Sequence, residues 1–234
     1  MTTYIAVDVG NVLVHVDFKQ FLNRLSQALN ISMQDAELFL ATNQKTQDLG
    51  ISEMLPELRD RLGVKSEPLA QELARLWIDA ISPADWLLEE INVWRREHDV
   101  IVAILSNVGV EHTIKMSQIL GELFRESVKH LSFQVGARKP TFLYYQSFLA
   151  MHPEFQGCIF IDDRPENLEA SRLFGFRPLH FALDDFTREN YDEGKFRSKM
   201  SEIERAFTGQ NCKYQICADI WKSETASSTN EDTQ

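Results

Sequence analysis

The chain has 234 residues, 44% hydrophobic and 25% charged, a globular composition with ample apolar material for a buried core, which excludes a disordered chain. Its 24 Lys and Arg against 35 Asp and Glu give a net charge of −11, which repels phosphate backbones and excludes a general nucleic-acid binder. No apolar run approaches the ~20 residues of a membrane span, and the start Met1-Thr2-Thr3-Tyr4 lacks the basic region of a secretory signal, so a soluble, cytoplasmic protein is expected.

The first element, Tyr4-Ile5-Ala6-Val7-Asp8-Val9-Gly10, reads as a strand buried on both faces, as in a parallel sheet, and stops at a glycine. From Phe18 to Leu76 the spacing turns helical with no good strand. Phe18, Phe21, Leu22, Leu25 and Leu29 make one apolar stripe, and Met54, Leu55, Leu58 and Leu62 another. After Pro83 an amphipathic helix carrying Trp86, Leu87, Ile91 and Trp94 leads to a second strand, Val100 to Leu105, which ends at Ser106-Asn107. A helix to about Leu120 follows, then a short strand near Leu131 to Val135. Pro140 is expected to open a helix carrying Phe142, Tyr145, Phe148 and Leu149. Cys158-Ile159-Phe160-Ile161 is a further buried strand ending at Asp162-Asp163, and a helix from Pro165 to Phe174 closes at Gly175. Pro178 to Phe181 completes the strands, and a charged helix runs to about Phe207. The polar segment from Ser223 onward is expected to be disordered. Alternating strands and helices predict an α/β fold, a Rossmann-like parallel sheet core in residues 1–16 and 84–208. An all-helical block is inserted as residues 17–83, and 209–234 form a tail.

Three of these strands end in polar residues: Asp8, Ser106-Asn107 and Asp162-Asp163. Ligands of open α/β sheets bind at the carboxyl ends of the strands, so these residues converge whatever their separation in sequence. Lys139, at a loop-to-helix junction, can face the same edge. Three acids at one site repel each other unless a cation neutralises them, and hard oxygen donors suit Mg²⁺ accompanied by water and a phosphate. The lysine, the hydroxyl and backbone N–H groups can hold phosphate oxygens while one carboxylate serves as nucleophile.

Four segments carry a resemblance: Val7-Asp8-Val9-Gly10-Asn11-Val12, Ile104-Leu105-Ser106-Asn107, Arg138-Lys139-Pro140, and Phe160-Ile161-Asp162-Asp163-Arg164-Pro165-Glu166-Asn167. In order and spacing they resemble the motifs of the haloacid dehalogenase (HAD) superfamily of phosphohydrolases, and the helical insert is similar to the C1 cap of its subfamily IA. The resemblance implies that Asp8 is the nucleophile and also binds Mg²⁺. It implies that the Gly10 carbonyl, Asp163 and, directly or through water, Asp162 complete the metal shell, and that Ser106, Asn107 and Lys139 hold the phosphoryl group. The implied activity is Mg²⁺-dependent hydrolysis of a small phosphorylated metabolite through an aspartyl-phosphate, beneath a cap that restricts substrate size.

One position departs from the pattern. Where the phosphatases carry a second aspartate as general acid and base, this chain has Gly10. A subgroup resembling bacterial glucose-1-phosphate phosphatases has a similar Asp-x-Gly-Asn-Val loop followed by a segment like Val16-Asp17-Phe18. General acid–base help is worth ~10²–10⁴ in rate, so slow turnover is expected, and a catalytically impaired binding or regulatory protein is the rival reading. Metal-free dehalogenases of the superfamily also lack the second aspartate, but the Asp162-Asp163 pair argues for a cation. A receiver-type signalling domain would place the acidic pair on the first strand and the lysine last, which is not the order here.

Other features have two readings each. His15 and Asp17 can substitute for the missing acid or form a surface pair, and Gly10 can serve a tight turn, a close approach to the metal, or both. Asn43-Gln44-Lys45-Thr46-Gln47-Asp48 can contact substrate or be an exposed inter-helix loop. Asp184 to Tyr191 reads as a solvated helix start. Cys158 reads as core packing, and Cys212 and Cys217 lack the further ligands of a zinc site.

Overall fold

In the computed structural model, which describes residues 2–186 and 192–208, the strands are β1 (Thr3–Val7), β2 (Val14–Val16), β3 (Ile81–Pro83), β4 (Val100–Ser106), β5 (Val128–Leu131), β6 (Ile159–Asp162) and β7 (Arg177–His180). Five of them make one parallel sheet in the order β5-β4-β1-β6-β7. Alternation along each central strand sends Ile5, Val7, Ile104, Ile159 and Ile161 to one face and Ala6, Ala103, Leu105 and Phe160 to the other. Both faces are covered, as a parallel sheet requires.

The helices are α1 (Lys19–Leu29), α2 (Met33–Asp48), α3 (Met54–Pro56, continued as one wide turn to Arg61), α4 (Glu67–Ile78), α5 (Asp85–His98), α6 (Val110–Leu120), α7 (Glu122–Glu126), α8 (Ser132–Val135), α9 (Phe142–Met151), α10 (Pro165–Arg172) and α11 (Glu193–Thr208). Leu87, Ile91 and Trp94 of α5 and Phe196, Met200 and Ile203 of α11 join the first face. Tyr144, Tyr145 and Phe148 of α9 join the second. Helices α1 to α4 form the inserted block around their own core of Phe21, Leu25, Met54, Leu58 and Trp77. Each such side chain contributes about 1.5–3 kcal/mol on burial. Ser32 caps α2 by accepting from the Asp35 N–H at 3.0 Å. Among the described residues no helix is long and apolar enough to cross a membrane.

Three local expectations are corrected. The strand expected at 131–135 is β5, ending at Leu131; residues 132–135 turn into α8 because the Ser132 hydroxyl accepts from Val108 N–H (2.9 Å) and donates to Val108 C=O (3.2 Å). The helix expected to open at Pro140 starts at Phe142, after a turn in which Thr141 N–H donates to Arg138 C=O. The stretch preceding α5 holds β3, paired antiparallel with β2 through His15 and Ser82. Pro83 lies at its end, where a missing N–H is tolerated. The side chain of Trp86, part of the Asp184–Tyr191 stretch, and the tail with Cys212 and Cys217 lie outside the described residues.

Candidate active site at the carboxyl edge of the sheet

The register β1·β4 pairs Val7 with Ile104 and the register β1·β6 pairs it with Ile161, so the next residues along, Asp8, Leu105-Ser106 and Asp162, arrive at one edge. From β1 the chain runs out through β4 and β5, then returns to β6 and β7 on the other side. That reversal makes this edge a switch point, where open sheets bind ligands. Carboxylate oxygens of Asp8, Asp162 and Asp163 lie within 4.8 Å of one another.

Lys139 is the counter-charge. Its fully buried Nζ donates to Asp162 Oδ2 (2.7 Å) and the Leu105 carbonyl (2.7 Å) and forms an ion pair with Asp8 Oδ1 at 2.9 Å. Asn107 fixes the Lys139 backbone at both ends: its Oδ1 accepts from Lys139 N–H (2.8 Å) and its Nδ2 donates to Lys139 C=O (2.9 Å). Two of the three expected phosphate holders thus have protein partners of their own, and they position Asp8. Ser106 does not: its hydroxyl borders the cavity and makes no hydrogen bond among the described residues. Asp162 is also fully committed, accepting Arg164 N–H (2.9 Å) and the Asn167 amide at both oxygens (2.9 and 3.1 Å) besides Lys139.

The electrostatics are unbalanced: one ammonium faces three carboxylates. Burial lifts Asp8 to about 7, Asp162 and Asp163 adding to the rise against the pull of Lys139. Burial and Asp162 lift Asp163 to about 6. Burial disfavours the Lys139 charge, but Asp162 and Asp8 outweigh it and hold its ammonium above the ordinary value. A second cation is what such a cluster lacks, and an all-oxygen donor set fits a hard divalent ion. Asp8 Oδ1 is held by Val9 N–H (2.7 Å) as well as Lys139, whereas Oδ2 makes no hydrogen bond among the described residues.

The loop after Asp8 turns at Asn11, whose φ of 53° is left-handed, and Asn11 Oδ1 accepts from Val16 N–H. Gly10 itself is not in that region. A Cβ built on it would sit 3.4 Å from Val16 Cγ2, so the turn does not demand glycine here. His15 and Asp17 do not border the cavity; Asp17 accepts from Lys19 N–H instead.

The cavity, about 300 Å³, lies between the sheet edge and the helical block. Its wall includes Gln44, Asp48 and Arg138, all within segments singled out from the sequence, and His112, which was not. The Asn43–Asp48 stretch is not a loop but the end of α2, and Asp48 pairs with Arg138 at 2.7 Å across the seam. Burial lifts the Asp48 carboxyl to about 6 against the pull of Arg138. His112 Nε2 lies 2.8 Å from the Trp77 carbonyl, which can only accept, so Nε2 carries the proton; burial holds the ring below its ordinary pKa. The sequence did carry a signal for the α2 contribution. Ala36, Leu40, Asn43 and Gln47 continue one buried stripe at helical spacing, and its second half is polar.

No protein-family model matches the chain, and no curated protein is significantly similar in sequence. Solved structures do match. A HAD family enzyme of Bacteroides thetaiotaomicron, in complex with magnesium and inorganic phosphate, superposes with a TM-score of 0.66 at 14% identity over 82% of this chain and 100% of that one. A HAD-like family hydrolase of Porphyromonas gingivalis matches with a TM-score of 0.60 at 18% identity, covering 85% and 98%. The L-2-haloacid dehalogenase of Xanthobacter autotrophicus, with chloropropionic acid covalently bound, matches with 0.54 at 14%, covering 81% and 80%. The chain therefore has the fold of the HAD superfamily, a parallel Rossmann-like sheet with a helical insertion after its first strand.

Proposed function

We propose that the protein is a Mg²⁺-dependent phosphatase of small phosphorylated metabolites. The observation that carries this reading is the crowding of three carboxylates around one lysine at the switch-point edge, with an unpartnered Ser106 hydroxyl beside them. Asp8 attacks phosphorus through Oδ2 while Val9 N–H and Lys139 fix Oδ1, forming an aspartyl-phosphate as the bond from phosphorus to the leaving oxygen breaks and that oxygen takes a proton from water. Ser106 donates to a phosphoryl oxygen. Water then hydrolyses the acyl phosphate, returning Asp8 and releasing inorganic phosphate. Asp8, Asp163, the Gly10 carbonyl and Asp162 would hold the cation, Asp162 contributing chiefly charge because its oxygens are already taken. When bound, Mg²⁺ supplies positive charge against the transferring phosphoryl group, where most of the catalysis in such transfers lies.

A metal-free dehalogenase reading is favoured by one observation: Lys139 already bridges Asp8 and Asp162, and Gly10 offers no acid. Phosphate release from an aryl phosphate, with Mg²⁺ and with excess chelator, separates the two. Release that stops in chelator supports the phosphatase; no release under either condition, with halide freed from a 2-haloacid, overturns it.

A further inference from the structure

Asp163 is the carboxylate of the cluster that no neighbouring side chain holds. Asp8 is fixed by Val9 N–H and Lys139, and Asp162 by Lys139, Arg164 N–H and Asn167. The Asp163 carboxyl accepts no hydrogen bond from any other described residue. A side chain without a partner is aimed by its backbone, because the planar peptides on either side of it set its Cα–Cβ direction.

Both of those peptides are tied, and both ties come from the end of β7. The register of β6 and β7 sets Asp162 beside His180. Phe181 N–H donates to the Asp162 carbonyl at 3.2 Å and so holds the peptide before Asp163. His180 Nε2 lies 2.9 Å from the Asp163 carbonyl, which can only accept, so Nε2 carries the proton and holds the peptide after it. The N–H of that second peptide, on Arg164, donates to Asp162 Oδ1 at 2.9 Å, which grips the plane at its other end. Further on, Leu183 N–H donates to the Asn11 carbonyl at 2.7 Å, in the loop after Asp8. Phe181 and Leu183 are fully buried and anchor this segment in the core. Residues 180–183 are therefore a strap across the two loops that carry the proposed cation ligands, and they lie outside all four sequence motifs. Of the bonds named, the one a strap side chain makes is that of His180. Its ring is exposed at the end of the edge strand and fills no core space.

We infer that His180 is a positioning residue for the cation, touching neither ion nor substrate and aiming the Asp163 carboxylate by holding its peptide. This rests on the reading of Asp163 as a cation ligand. Partners of ligating groups are worth about 10- to 100-fold in metal affinity, and one acting through the backbone belongs at the lower end. Calorimetric titration of Mg²⁺ into the full chain, at a single pH so that the protonation of Asp8 is constant, tests it. His180→Leu should weaken Mg²⁺ binding about 10-fold. His180→Gln, whose Nε2 stands as many bonds from the backbone as the imidazole Nε2, should stay within about threefold of wild type. His180→Asn, whose amide is one bond shorter, should behave like His180→Leu. In an Asp163→Asn background the His180→Leu change should cost less than about twofold, because the group it aims is gone. Equal Mg²⁺ affinity in wild type and His180→Leu overturns the inference and leaves the cation reading standing. Equal weakening by His180→Leu and His180→Gln, or an undiminished loss in the Asp163→Asn background, also overturns it, since the effect would then not run through Asp163. A wild-type protein that binds no Mg²⁺ removes the cation reading and the inference together.

Discussion

The proposed function has Mg²⁺ competing with protons for Asp8, and the burial of Asp8 gives that competition an expected size. Without a cation Asp8 titrates at about 7 in the folded state against an ordinary 3.8. The folded state therefore binds a proton that the unfolded state has released, so stability is greatest below about pH 4 for this group. It falls as pH rises towards 7, by as much as about 4 kcal/mol at 1.36 kcal/mol per pH unit. The raw pH profile will not show this cleanly, because buried His130, lowered to about 4, titrates in the opposite sense. Subtracting melts taken with and without Mg²⁺ cancels His130, which the ion does not touch. At about pH 8 Asp8 is ionised and Mg²⁺ binds without displacing a proton. At about pH 5.5 it must displace one, at a cost of about 2 kcal/mol, so apparent Mg²⁺ affinity drops about 30-fold. Asp163, raised to about 6, pushes in the same direction. At saturating Mg²⁺ the increment in Tm should be larger at the higher pH by roughly 4–8 °C. Asp8→Asn should abolish most of that difference. Equal Mg²⁺ increments at both pH values, or a larger one at the lower pH, would refute the assignment of Asp8 as a buried, cation-binding carboxylate.

Other measurements test the chemistry. Asp8→Asn should keep the fold by circular dichroism and lose turnover to background; retention of near-wild-type phosphate release would rule out covalent attack by Asp8. Because no acid occupies position 10, sugar 1-phosphates and aryl phosphates should show higher kcat/KM than sugar 6-phosphates, and equal values would sink that expectation. Gly10→Asp, which the backbone accepts with a contact to Val16 at the ordinary limit, should raise turnover of the 6-phosphate selectively, by up to ~10²-fold. A uniform loss across substrates would show that a carboxylate there does not reach the leaving oxygen. His15→Ala and Asp17→Ala should leave kcat within about twofold, since general acid–base help from either would be worth ~10² or more and neither borders the cavity.

The central strands β1, β4 and β6 were legible in the sequence because they are largely buried and read as continuous, mostly β-branched apolar runs, unlike the outer strands β5 and β7. The edge residues were legible because parallel strands deliver their carboxyl ends to one place. The amphipathic stripes of the inserted helices were equally plain, since Phe21, Leu25, Met54 and Leu58 do form its core. Short elements were not: β3 is three residues long and contains a proline, and α8 exists because a serine side chain ties it to the loop after β4. Within the site, residue identity was readable but partnership was not. Lys139 reads in the sequence as a phosphate ligand, and the structure adds what the sequence could not carry, that its ammonium lies against the Leu105 carbonyl and two aspartates. No pattern within a segment records a backbone carbonyl contributed by another strand. Asp48 and Arg138 meet only because α2 docks on the sheet edge, a tertiary event that leaves just the polar half of a buried helical stripe as its trace.

The inserted block leaves and rejoins the sheet domain through β2 and β3, which lie side by side as an antiparallel ribbon from Val14 to Val16 and Ile81 to Pro83. Its entry and exit are therefore neighbours in space, although more than sixty residues separate them along the chain. An insertion with adjoining ends is a modular part. A hairpin turn of two to five residues joining Val16 to Ile81 closes the same ribbon without moving a strand of the sheet. Such a graft keeps Asp8, Ser106, Lys139 and the aspartate pair on one continuous scaffold and discards Phe18, Gln44 and Asp48 together. The architecture thus separates, along a single hydrogen-bonded seam, the polar cluster at the sheet edge from the part of the cavity wall that the helical block supplies, and either can change without disturbing the other.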